Sequence, residues 1–86
     1  MLRISEVGNR NGHLVLKLEG RIIGPWVDEL RSACEKLLER EHPIALDLAE
    51  VSYADRDGVA LLRELKTRQV RLHACSPFLG EELKAG

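Results

Sequence analysis

The chain has 86 residues, 44% hydrophobic and 31% charged, with 13 basic against 14 acidic side chains. That length holds one compact domain, burying roughly 60–65% of the surface its unfolded form exposes. A net charge of −1, with only Trp26, Tyr53 and Phe78 aromatic, excludes the basic footprint and stacking platform of a nucleic-acid binder.

Leu2, Ile4 and Val7 suggest a short first strand. Gly8-Asn9-Arg10-Asn11-Gly12 is a dense turn signal, because glycine and asparagine tolerate positive φ. From His13 to Glu19 the apolar Leu14, Leu16 and Leu18 alternate with polar neighbours, which is strand periodicity. An antiparallel hairpin is expected. Gly20 reads as the end of the second strand, and Gly24-Pro25 opens a helix, proline suiting the first turn. Trp26, Val27, Leu30, Ala33, Cys34, Leu37 and Leu38 form an amphipathic stripe that predicts a helix from about Trp26 to Glu41. His42-Pro43 stops it.

Ile44-Ala45-Leu46-Asp47-Leu48 is a short apolar run, as in a strand buried on both faces of a parallel sheet. Val51, Ser52, Tyr53 and Ala54 are expected in a loop. Val59, Leu61, Leu62 and Leu65 then mark a helix from about Asp57 to Arg68. Val70–Ala74 reads as another strand. Ser76-Pro77, an N-cap followed by proline, starts a last short helix to about Lys84.

This order predicts an α/β fold in a single small domain spanning 1–86. Its sheet is mixed and mainly parallel, with about four or five strands, an N-terminal antiparallel hairpin and about three helices. Val15, Leu16, Leu18, Leu30, Leu37, Leu46, Leu48, Val59, Leu62 and Leu72 are the expected core.

Little reactive chemistry is written in the residues. Gly20 and Gly24 do not make G-x-G-x-x-G, and no glycine-rich loop precedes a Lys-Ser/Thr pair. His73 and Cys75, even with Cys34, lack the C-x2-C spacing common in zinc sites and read as ordinary packing. His13 and His42 flank turns and are expected in solvent. No Ser-His-Asp or Cys-His constellation is readable, so neither an enzyme, a cofactor nor a metal is expected. The longest apolar run falls far short of the roughly 20 residues that cross a bilayer. Met1 leads straight into Leu-Arg-Ile-Ser-Glu, which is no secretory signal. A cytoplasmic protein with reduced thiols is the expectation.

Asp47 ends a buried strand, while Asp55 and Asp57 open the next helix. Response-regulator receivers also carry an aspartate at the end of such a strand, but they have an acidic pair after their first strand. That pair is absent here. At a helix start, Asp55 and Asp57 satisfy orphan N–H groups and complement the dipole.

Two stretches carry a resemblance. Leu16-Lys17-Leu18-Glu19-Gly20-Arg21-Ile22, followed by Val27-Asp28-Glu29-Leu30, forms a strand–Gly–helix opening. Ile44 through Leu62 resembles the pattern L-D-L-x-x-V-x-x-[IM]-D-S-S-G-[LV]-x-x-L, with Arg56 and Asp57 in place of its two serines, and Ser76-Pro77 before a closing helix fits as well. On these residues the chain resembles the STAS family, the sulfate-transporter and anti-sigma-factor-antagonist domain. The similarity covers most of the sequence.

The resemblance implies a protein–protein interaction module of a bacterial partner-switching pathway, acting in signalling and transcription regulation. Its implied partner is a protein such as an anti-sigma factor with serine-kinase activity, with no nucleic acid and no membrane insertion. In antagonists of the family the first serine of D-S-S-G is phosphorylated, placing charge at the mouth of a helix. Here Asp55, Arg56, Asp57 and Gly58 fill those positions, so Arg56 stands where the acceptor would be. Phosphorylation at the usual site is therefore not expected, and Ser52 is the nearest serine that could substitute. Ser52, Tyr53, Asp55, Arg56, Asp57 and Gly58 are the candidate partner-binding residues. An accessory subunit of a transport or stressosome-like complex is the alternative.

Overall fold

A computed structural model describes residues 2–84; positions 1, 85 and 86 of the expected domain lie outside the described residues. The elements are β1 (Leu2–Arg10), β2 (His13–Ile22), α1 (Pro25–Glu39), β3 (Ile44–Ala54), α2 (Arg56–Thr67), β4 (Arg71–His73) and α3 (Pro77–Lys84). One sheet runs β1-β2-β3-β4. β1 and β2 are antiparallel, whereas β2 pairs with β3, and β3 with β4, in parallel. This is the predicted mixed sheet, with four strands and three helices.

The hairpin turn is tighter than expected. Only Asn11 and Gly12 form it, both at positive φ (54° and 82°), as a two-residue hairpin loop demands. Gly8 sits instead at a register shift of β1, with φ 115°, so the strand continues through Arg10.

Gly20 likewise does not end β2. With φ 108° it lies among register shifts on the parallel side, and the strand runs on to Ile22. That extension supplies a partner for the segment after Leu48. Gly20 pairs with Val51, Arg21 with Tyr53 and Ile22 with Ala54. Val51–Ala54 is therefore strand rather than the expected loop, because its backbone groups have a ladder to join.

Both long helices pack on one face. Leu14, Leu16 and Leu18 of β2, and Ile44, Leu46 and Leu48 of β3, share one core cluster with Leu30, Cys34, Leu61, Leu62 and Leu65. Removing each such leucine from water contributes on the order of 2 kcal/mol. Leu37 and Leu72, expected in the core, are only half-buried at its margin. Ion pairs Arg31–Glu64 and Arg68–Glu35 link α1 to α2, and both join residues 33 apart, so the helices run parallel. α1 stops at Glu39, short of Glu41, because Glu41 turns to φ 56° while the His42 amide returns to the Leu37 carbonyl.

Candidate functional site

β2 and β3 are adjacent and parallel, so both hand over to their helices at the same end of the sheet. Asp55 follows β3 in an extended conformation and caps α2, its Oδ1 accepting from the Gly58 amide at 2.7 Å. Its Oδ2 accepts from the amide of Gly24, the N-cap residue of α1, at 3.0 Å. One carboxylate thus serves two helix starts. The bond from Gly58, then that from Gly24, holds the Asp55 carboxyl below its ordinary value, against a smaller opposing effect of burial.

The backbone closes the same corner. The Asp55 amide donates to the Ile22 carbonyl at 3.1 Å. A Cβ on Gly58 would stand 2.4 Å from that carbonyl oxygen and 3.3 Å from Cβ of Ala54. Only glycine fits, which gives the Asp-x-x-Gly spacing its structural reason. Arg56 and Asp57, the first two residues of α2, are consequently presented on a fixed turn, both exposed. Asp57 suits the positive end of the helix dipole. Arg56 opposes it.

Tyr53 is 47% exposed and Phe78, in the first turn of α3, is 57% exposed. Together with Ala54, Asp55, Arg56, Val59 and Arg63 they line a shallow groove of about 350 Å³. Of the six residues expected from sequence, Tyr53, Asp55 and Arg56 line it, and Asp57 lies exposed beside it. Gly58 is buried under the turn, and the exposed Ser52 donates its hydroxyl to the Gly20 carbonyl at 3.3 Å. Phe78 and Arg63 were missed. Arg63 had a signal, standing two helical turns after Arg56 and so on the same face.

Both thiols are free. Cys34 is buried in the core, which pushes it up to about 11, and burial also raises the half-buried Cys75. Among the described residues no cluster of three His, Cys, Asp or Glu could hold a metal ion, and no helix is long and apolar enough to cross a membrane.

A four-stranded sheet with its helices on one face, and a strand-to-helix turn beside an exposed aromatic groove, define a small α/β domain. The family model described as "Mlab, STAS domain" matches residues 5–84, and the chain belongs to the STAS domain family. Its fold is similar to that of the anti-sigma factor antagonist SpoIIAA in its unphosphorylated form, with a TM-score of 0.70. The two are 21% identical, the match covering 100% of this chain and 84% of that one, and the likeness is one of fold. No curated protein matches the chain.

Proposed function

We propose that this chain is a protein-docking module of a bacterial regulatory pathway, of the anti-sigma factor antagonist kind. It acts by binding rather than catalysis, and its partner seats on the groove between Tyr53 and Phe78 over the start of α2. The observation that carries this reading is Arg56. A cation at the first position of a helix works against the dipole, and such broken local rules concentrate at functional sites. Two exposed aromatic rings on either side supply apolar anchors of the sort that dominate interface energetics.

On this reading docking is not gated by phosphate at the family's usual serine position, since Arg56 offers no hydroxyl. Ser52 is a poor substitute, its hydroxyl being engaged with the Gly20 carbonyl. The same residue favours a second reading, an accessory subunit of a transport or stressosome-like complex. An interface without a phospho-acceptor suits a permanent assembly better than a switching one. Incubation with the cognate serine kinase and ATP, followed by phosphopeptide mapping, tests the shared element. No label is expected in residues 51–58, and stoichiometric label at Ser52 overturns the unswitched reading.

A further inference from the structure

The face of the sheet turned away from the helices carries a pocket of its own. Val15 of β2 and Ala45 of β3 are register partners and buried, yet neither belongs to the cluster beneath the helices. They sit in a pocket of about 170 Å³ whose other lining includes Arg10, Asn11, His13, Asp47, Arg71 and His73. The register explains its shape. Arg71 pairs with Ala45 from the β4 side, His73 pairs with Asp47, and Arg10 faces His13 across the hairpin end. Small side chains make the floor and long cationic ones the rim.

Among the described residues the guanidinium groups of Arg10 and Arg71 have no ion-pair or hydrogen-bond partner. His13 meets only the Asn11 carbonyl, through Nδ1 at 3.2 Å. Asp47 is the one acidic residue of the lining. Its Oδ1 accepts from the Ala49 amide at 3.0 Å, and Lys17 is its register partner on β2. Concentrated like charge at a confined site repels itself and attracts an anion.

The donors discriminate between anions. Each guanidinium offers a fork of parallel N–H groups, and the two imidazoles add further ring nitrogens. A carboxylate has two oxygens and satisfies one fork, whereas a phosphate has enough oxygens for both. The volume also suits a phosphate with a few attached atoms, being well below the roughly 300–1,000 Å³ typical of sites for larger organic ligands. We infer that this pocket binds a phosphate group, either free or as the monoester end of a small molecule. The site stands apart from the docking groove and does not depend on it.

The test is a titration of the ¹⁵N-labelled protein, followed by amide chemical shifts at constant ionic strength, with inorganic phosphate, phosphoserine or acetate. Both phosphates are expected to give saturable shifts at Val15, Ala45, Arg71 and His73, with the Asp55–Gly58 amides unmoved. Tighter binding of inorganic phosphate identifies the free anion as the ligand, and tighter binding of phosphoserine a monoester. Arg71→Gln and, separately, Arg10→Gln should each weaken binding about tenfold, the loss of one charge-assisted pair. Asp55–Gly58 amide shifts at their wild-type positions in each variant report that it is folded. Absence of saturable shifts with either phosphate, acetate binding as tightly as phosphate, or unchanged affinity in both variants overturns the inference.

Discussion

The amide of Gly24 donates to Oδ2 of Asp55 at 3.0 Å, across 31 positions of sequence. The other oxygen of that carboxylate holds the Gly58 amide, so the starts of α1 and α2 are fixed to each other through a single side chain. Asp55→Ala should therefore lower the melting temperature at neutral pH, and Asp55→Asn, which keeps one acceptor, should lower it less. The folded carboxyl titrates below its ordinary 3.8, so its stabilisation is present above that pH. It is lost as pH falls through the folded value. The difference between wild type and Asp55→Ala should accordingly shrink below pH 3.8 in thermal melts, and a difference that grows there contradicts the capping role.

Gly58 and Gly80 should respond to alanine with opposite signs. At Gly58 the new Cβ meets a backbone oxygen at 2.4 Å, which cannot swing aside, and a loss of about 1–3 kcal/mol is expected. At Gly80, inside α3, nothing lies within 4 Å of a Cβ, and a gain of roughly 0.5–1 kcal/mol is expected. Urea denaturation of the two variants checks both.

The two thiols should separate cleanly in native alkylation. Burial pushes Cys34 up to about 11, leaving about a thousandth as thiolate at pH 8, and the core also shields its sulfur. Cys75 is only half-buried and should react first under native conditions, with Cys34 following on unfolding. Mass spectrometry of the alkylated protein reads the order.

Much of the fold was legible because its signals were local. The apolar stripe from Trp26 to Leu38 and the run Ile44–Leu48 specified α1 and the buried half of β3 without further help. The rest of β3 was hidden by bulges. Around Gly20 the register with β2 shifts, which breaks the two-residue alternation by which a strand is recognised. Leu37 and Leu72 satisfied the periodicity but stand at the margin of the packed layer, and periodicity carries no information about margins. The site was half legible. Asp55, Arg56 and Gly58 followed from a motif, whereas the Asp55–Gly24 bond and the approach of Phe78 to Tyr53 are products of tertiary folding alone.

The exposed rings should behave as anchors for a partner and not as core. Tyr53→Ala and Phe78→Ala are each expected to leave the urea midpoint almost unchanged while weakening partner binding by about 2 kcal/mol or more. Loss of stability comparable with Leu46→Ala, which should cost about 2–5 kcal/mol, would mean that the rings belong to the core.

Titration calorimetry of the purified partner against wild type and Arg56→Glu, at low salt, decides whether the start of α2 is the docking surface. Charge reversal at a close interface pair should cost roughly 2 kcal/mol or more, a loss of affinity of about 30-fold. Arg56→Glu binding as tightly as wild type would contradict docking over the start of α2.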